Sequence, residues 1–342
     1  MAYIEIDSEA FRANLRYLSA LATPERLAIV LKDNAYGHDL ETIAVLSREF
    51  GIRHVVVRTL EEAAKADIGF ETILVFDDIP EAPLPSHIQI AVNSLAAVNI
   101  LPSDTHVHLK VDTGMHRSGV DPDEVYDAIQ RIISRKCHLA GVFSHSRSSD
   151  DLSGELYWQY TRFCALKEQV IQYCQDLGLP VPRFHFANSA TLLRYKEHVR
   201  FDLVRVGIAA YGYTEMDPVF DAPPLKPILS LWGEKIASRT LPKGARIGYG
   251  GHGEMETEGV VTTYDIGYAD GFFRLKGDEG YTTPDNERVL GRVSMDNLTA
   301  TGDAETLRLF DDARPLAKIF NTITYEILVK LSPRIPRRLR HQ

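Results

Sequence analysis

The stretch Leu27-Ala28-Ile29-Val30-Leu31-Lys32-Asp33-Asn34-Ala35-Tyr36-Gly37-His38 decides the reading of this chain. Its five leading apolar residues read as a buried strand, and a lysine follows them directly. Asn34 to His38 reads as a tight turn, and Leu40 to Phe50 as a helix. A lysine at the C-terminal end of a barrel strand can point into a pocket instead of into water. There it can form a Schiff base with an aldehyde cofactor. Taken alone, such a lysine is more often a solvated strand end.

Working outward, seven further apolar runs resemble the first. They are His54–Val57, Thr72–Phe76, Ile88–Ala91, Val107–Val111, Leu139–Phe143, Phe184–Phe186 and Leu203–Val206. Helical segments such as Leu60–Ala66, Pro122–Ser134 and Glu155–Leu177 lie between them. Strand–helix alternation implies parallel βαβ units, and eight of them imply a closed (β/α)8 barrel of the TIM type. An open doubly wound sheet is the alternative, but the chain carries no GxGxxG or Walker loop to support it.

After about Pro223 the texture changes to short β-type runs: Leu229–Trp232, Lys235–Ser238, Gly259–Thr263 and Val289–Val293. Turns rich in Gly and Pro separate them, which predicts a smaller, mostly antiparallel β domain. The expected division is 8–222 for the barrel and 223–342 for the β domain, with residues 1–7 a candidate extra strand of the latter. Asp221–Pro227 reads as the joint. The basic end, Pro333–Arg340, reads as a solvated terminus.

The chain has 342 residues, 44% hydrophobic and 25% charged, as in a globular protein. Its 38 Lys+Arg against 47 Asp+Glu leave a net charge of −9, which disfavours nucleic acid or an anionic membrane as partner. Cys137, Cys164 and Cys174 show no metal-ligand spacing and an odd count. That argues against a structural zinc or a disulfide framework and fits a reducing compartment. No signal-peptide pattern opens the chain, and no apolar run approaches the ~20 residues that span a bilayer. A cytoplasmic protein without a metal is expected.

In a β/α barrel, reactive groups gather at the C-terminal ends of the strands. Those ends supply Lys32 and Tyr36, Lys110 with Asp112 and Arg117, His145, Asn188 with Ser189, and Arg205 with Gly207. The Ser189 hydroxyl and the N–H groups after Gly207 can bind a phosphate. Ser189 also reads as a cap for a helix starting at Ala190, and His145 alone as an ordinary polar residue. The convergence of cations and phosphate donors favours an anionic cofactor.

The chain resembles the alanine racemase family. The resemblance rests on Lys32–His38, Lys110–Arg117, Phe143–His145, His185–Ser189, Arg205–Ile208, Ile266–Gly271, Gly291–Asp296 and Tyr325-Glu326, in the family's order and over nearly the whole chain. Gly-Tyr-Ala-Asp-Gly after the Lys32 segment is the most specific pairing. The resemblance implies a pyridoxal 5'-phosphate enzyme interconverting L- and D-alanine, a homodimer with shared sites, supplying D-alanine for peptidoglycan. It implies that Lys32 holds the cofactor and is one acid/base, and that Tyr268 of the partner subunit is the other. Tyr36, Ser189, the backbone at Gly207 and Ile208, and Tyr325 are implied as phosphate ligands, with Asn188 beside them. Arg205 faces the pyridine nitrogen, and Arg117 meets the cofactor oxygen and the substrate carboxylate. Met295 of the partner subunit also meets that carboxylate. His145 links Tyr268 to Arg205, and Lys110 is often carbamylated in the family.

These roles make physical sense. Racemisation takes a proton from one face of a planar carbanion and returns one to the other, so two bases serve better than one. A tyrosine, with a reference pKa of about 10, needs its anion stabilised to act near neutrality. A path through a histidine to an arginine supplies the right sign of field. An arginine facing the pyridine nitrogen will not protonate it, which disfavours transamination. Three departures stand out. Asp33 replaces a usual alanine and, on a strand, should point away from Lys32. Ser146–Asp150 departs from the usual pattern, and the Met295–Tyr325 interval is short. The alternatives are a broad-specificity amino-acid racemase acting on serine or basic amino acids, and a non-catalytic pyridoxal-phosphate-binding protein. The β domain argues against the second.

Overall fold

The computed structural model describes residues 1–276 and 280–340. It divides into two compact units. One comprises Arg12–Ala35 and Leu40–Leu225, the other Met1–Phe11, Tyr36–Asp39 and Lys226–Gln342. The first strand, β1 (Tyr3–Asp7), belongs to the second of these.

The larger unit is an eight-stranded parallel barrel. Its strands are β2 (Leu27–Val30), β3 (His54–Val57), β4 (Thr72–Val75), β5 (Ile88–Val92), β6 (His106–Lys110), β7 (His138–Phe143), β8 (Arg183–His185) and β9 (Val204–Val206). Each pairs with its neighbour in chain order, and β9 returns to β2 with Ala28 opposite Arg205. A single bridge, His185 to Leu203, joins β8 to β9. Strands covered on both faces read as unbroken apolar runs, and β2 and β4 are buried at every residue. The intervening helices bury one stripe each. Val125–Ser134 buries Val125, Ala128, Ile129 and Ile132, the helical repeat of an inward face.

The smaller unit is a seven-stranded, mostly antiparallel sheet. Its spine is β10 (Leu229–Leu241), 13 residues long. Two runs expected as separate strands are one, because the chain continues extended through Gly233. A Cβ there would crowd Tyr264 Cβ at 3.0 Å. A small hairpin, β11 (Arg246–Ile247) with β12 (Gly253–Glu254), stands apart. Strands β13 (Gly259–Tyr264), β14 (Val289–Leu290), β15 (Leu298–Thr301) and β16 (Thr306–Phe310) complete the antiparallel part. The run Val289–Val293 stops as a strand at Leu290, where Gly291 turns left-handed with φ 69°.

The basic C-terminal stretch is not a solvated tail. β17 (Arg337–Arg340) adds in parallel to β1. Arg338 lies over the Tyr3 ring at 3.9 Å, and Arg337 donates to the carbonyls of Ser332, Ile335 and Gly37. Charge alone misjudged it, because arginine stems pack on aromatic faces and their heads satisfy carbonyls. Among the described residues, no helix is long and apolar enough to cross a membrane. None of their His, Cys, Asp and Glu side chains form a group of three able to hold a metal ion.

Candidate active site

The tight turn expected over Asn34–His38 begins earlier, at Asp33, directly after Lys32. Asp33, Asn34, Ala35 and Tyr36 all have φ between 52° and 54°, one turn of left-handed helix. Each such residue costs roughly 1–2 kcal/mol when it carries a side chain. The turn is held from several sides. Ala35 N–H donates to Leu31 O at 2.7 Å, and Asn34 N–H to Glu62 Oε1 at 3.3 Å. Asn34 Oδ1 in turn accepts from Leu40 N–H at 2.9 Å, which starts the next helix. The turn overturns the expectation for Asp33. It does not alternate away from Lys32, because the strand has ended: its carboxylate lies 3.8 Å from Lys32 Nζ and 3.2 Å from Arg58.

Around the barrel, strand ends bring cations together. Arg205, Arg117, Lys110 and Lys32 all act electrostatically on His145, which sits in the loop after β7. Burial first, then those cations, pushes the His145 pKa down to about 3. The ring is therefore neutral. Arg205, which can only donate, faces His145 Nδ1 at 3.3 Å, so the His145 proton sits on Nε2. Lys110 ends β6 and donates to Ser118 Oγ at 2.6 Å. Burial, then the charges of Arg117 and Arg205, lowers its pKa to about 8. The loop carrying Arg117 is fixed by Asp112, whose Oδ1 accepts from Gly114, Met115 and His116 N–H groups.

After β8 the helix begins at Ser189, not Ala190, and Asn188 caps it by accepting from Thr191 N–H at 2.9 Å. Asn188 also bonds Ser149. Its side chain is thus engaged in structure, and the expectation that Ser189 caps the helix is corrected. The buried Ser189 hydroxyl instead accepts from Gly207 N–H at 3.1 Å, which joins the ends of β8 and β9. Ile208 follows with its side chain buried and its carbonyl closing turns to Tyr211 and Tyr213.

Arg205 is 4% exposed. It donates to Ser144 O, Phe186 O, His145 and His185, and none of these partners is a carboxylate. Burial lowers its pKa to about 9, which still leaves it charged at neutrality. Beneath it, His185, His108, Gln89 and Arg183 form a buried polar array that sequence reasoning missed. Its signal was available: these residues are polar at strand positions otherwise filled by Val, Leu and Ile.

In the other unit, Tyr36 and Tyr325 place their rings 5.7 Å apart. There, too, Tyr268 and Met295 are brought together through the backbone. Tyr268 N–H donates to Ser294 O at 3.1 Å and Ala269 N–H to Met295 O at 2.9 Å. A Cβ on Gly267 would lie 2.2 Å from Met295 O, and one on Gly271 2.0 Å from Lys330 O. Asp270 accepts from Gly267 N–H at 3.0 Å. The Gly-Tyr-Ala-Asp-Gly segment is therefore required by local packing. Its tyrosine is nevertheless 41% exposed, and Met295 55%.

The donor set suits an anionic aldehyde cofactor on chemical grounds. It holds an exposed primary amine on a rigid turn, a hydroxyl beside a backbone amide for a phosphate, and a charged guanidinium lacking an acidic partner. The family description "Alanine racemase, N-terminal domain" matches residues 6–215, and "Alanine racemase, C-terminal domain" matches residues 228–339. An alanine racemase of Nitratiruptor sp. is 42% identical over 98% of this chain and 99% of its own length. The solved alanine racemase of Clostridium difficile superposes with a TM-score of 0.87 at 25% identity, covering 99% of this chain and 95% of that one. An alanine racemase structure from Bartonella henselae with covalently bound pyridoxal phosphate has a TM-score of 0.80 at 25% identity, covering 99% of each chain.

Proposed function

This chain belongs to the alanine racemase family, and from that premise we propose that it interconverts L- and D-alanine with pyridoxal 5'-phosphate held on Lys32. The observation that carries the reading is that Lys32 and Arg117 follow barrel strands, Lys110 ends one, and these three, with Arg205 3.3 Å from His145, all act electrostatically on that neutral ring. An anionic cofactor and an amino-acid carboxylate need such a cluster. Bound pyridoxal phosphate supplies a carbonyl that condenses with amines and a conjugated ring that accepts electron density from the α-carbon.

The chain's own residues do the rest. Lys32 holds the cofactor covalently and then exchanges a proton at the substrate α-carbon from one face. Tyr268 of the partner subunit exchanges a proton at the other face. The exposure of Tyr268 and Met295 supports a dimer in which each chain offers them to its neighbour. His145, with its proton on Nε2, donates towards the partner subunit's Tyr268 and stabilises its oxygen as an anion, with the charge of Arg205 behind it. Ser189, the Gly207 and Ile208 backbone, Tyr36 and Tyr325 hold the phosphate, with Asn188 supporting Ser189 by capping its helix. Arg205 meets the ring nitrogen and keeps its proton, which limits charge withdrawal from the α-carbon and favours proton return over transamination. Arg117 and Met295 of the partner subunit bind the substrate carboxylate. Lys110, with its pKa lowered to about 8, has enough neutral amine to add to carbon dioxide and, on releasing a proton to solvent, become an anionic carbamate that pairs with Arg117.

The barrel and β domain divide near residue 223 in this reading, and the enzyme works in the cytoplasm to supply D-alanine for peptidoglycan. Racemisation assayed across alanine, serine, lysine and arginine tests the substrate. Alanine should turn over fastest. A preference for serine or a basic amino acid would replace this reading with that of a broad-specificity racemase. No racemisation by cofactor-loaded protein would favour a carrier.

A further inference from the structure

The buried array behind Arg205 has a hydrogen-bond direction that its two ends dictate independently. At the upper end Arg205 Nη1 faces His185 Nδ1 at 2.6 Å. An arginine has no acceptor, so His185 Nδ1 is unprotonated and a neutral His185 carries its proton on Nε2. That Nε2 lies 2.7 Å from His108 Nδ1, which must then accept. At the lower end Arg183 Nη2 donates to Gln89 Oε1 at 3.0 Å and to Thr72 Oγ1 at 2.9 Å. Arg183 thereby settles which way the Gln89 amide faces, and its Nε2 donates to Ser86 O at 3.1 Å. The same Gln89 oxygen lies 2.6 Å from His108 Nε2, so that nitrogen carries a proton. Both ends assign one tautomer to each ring.

We propose that Gln89 and Arg183 are positioning residues for Arg205. Through His108 and His185 they fix one donor direction that holds the guanidinium in place without giving it a carboxylate partner. The array is closed to added protons. A second proton on His185 would set N–H against the Arg205 N–H, and one on His108 would face the His185 N–H. Burial, then the neighbouring arginines, hold both imidazole pKa values well below 6.5 in keeping with this. The site is built for these rings: a Cβ at Gly141 would stand 2.2 Å from His108 Nδ1. His108 and His185 are fully buried, and Gln89 is nearly so. The consequence for Arg205 rests on the racemase reading, whereas the tautomer assignment does not.

The test is nitrogen NMR on the full chain labelled at histidine, with cofactor and stripped of it, assigned by comparison with His108→Asn. Both rings should show unprotonated Nδ1 and protonated Nε2, unchanged between about pH 5 and 8. A protonated Nδ1 on either ring, or titration in that range, overturns the proposal. Gln89→Met removes the shared acceptor. It should mix the tautomers and lower kcat by roughly 10- to 100-fold with little change in KM, as expected for a displaced guanidinium. Gln89→Glu keeps an acceptor and should retain the wild-type assignment. Unchanged tautomers and kcat in Gln89→Met overturn the proposal. If that variant does not fold, the wild-type and Gln89→Glu shifts decide. Because the shifts are read without cofactor, a wrong array and a wrong reaction are distinguishable.

Discussion

Arg205 and Tyr268 are held in opposite ways. Arg205 is buried at 4% exposure, bonded through both terminal nitrogens and backed by a polar array that crosses the barrel. Tyr268 sits on a tightly specified backbone, yet 41% of it is exposed. In the proposed mechanism, one half of the chemistry is finished inside its own barrel, and the other is shaped in the β unit and offered outward. Rigid backbone under an exposed side chain is what a residue serving another subunit needs. Precision comes from Gly267, Asp270 and Gly271, and availability comes from the exposure that remains with the Arg274 guanidinium 5.8 Å from the ring centre.

Substitutions on the two halves should fail in different ways. Lys32→Ala in the barrel half should lose activity by at least ~10⁴-fold, since it removes both the covalent link and one acid/base. Borohydride should then no longer fix a cofactor adduct to the chain, and a persisting adduct would put the attachment elsewhere. Arg205→Glu should be next, with racemisation slowed on the order of 10²-fold and transamination increased, because a carboxylate would favour a protonated ring nitrogen. An unchanged ratio of the two reactions would remove Arg205 from its assigned contact.

Gly267→Ala strikes the outward half without touching an ionisable group. The added methyl meets Met295 O at 2.2 Å, an overpacking worth ~1–3 kcal/mol in stability. Denaturant midpoints should fall while the cofactor adduct on Lys32 still forms. Loss of cofactor attachment with unchanged stability would break the division between the halves.

The last effect is graded with pH, needs no substitution and belongs to the barrel half. His54 and His145 have folded pKa values of about 4 and about 3, mainly through burial, and His108 and His185 also lie well below 6.5. Depressed values mean that the unfolded chain takes up these protons first. Their stabilisation is therefore complete above about pH 6.5 and is lost as pH falls towards the folded values. The slope is about 1.4 kcal/mol per pH unit for each proton taken up. Urea midpoints at pH 7, 6 and 5 should decline, and a flat profile would mean that these rings take up protons as readily in the fold as in the unfolded chain.

Much of this was legible in the chain. Eight apolar runs gave the barrel, because strands buried on both faces leave an unmistakable pattern. Lys32, Arg205 and Tyr268 stood in motifs. What escaped had physical causes. The turn was legible from Asn34 onward, but it starts one residue earlier as left-handed helix and is held by a bond from Glu62, which the sequence does not show, so Asp33 was placed on the strand. Val–Arg–Val does not advertise that Arg205 will meet His185, because β8 and β9 come together through only one bridge, His185 to Leu203. Asn188 displaced Ser189 as the cap because both can cap, and only the bond to Gly207 decides between them. The basic C-terminus was misread because its partner, β1, lies at the far end of the sequence.

The central claim is that each active site draws Lys32 from one chain and Tyr268 from the other. Mixing inactive Lys32→Ala and Tyr268→Phe subunits after dissociation tests it directly. In a mixed dimer one site receives both an intact Lys32 and an intact Tyr268 of the partner subunit, so half a site pair should recover activity. Random mixing of equal amounts makes half of the dimers mixed, so the mixture should reach about a quarter of wild-type turnover and the mixed species isolated by differential tagging about half. No recovery, with subunit exchange demonstrated by the tags, would mean that each site is built within a single chain.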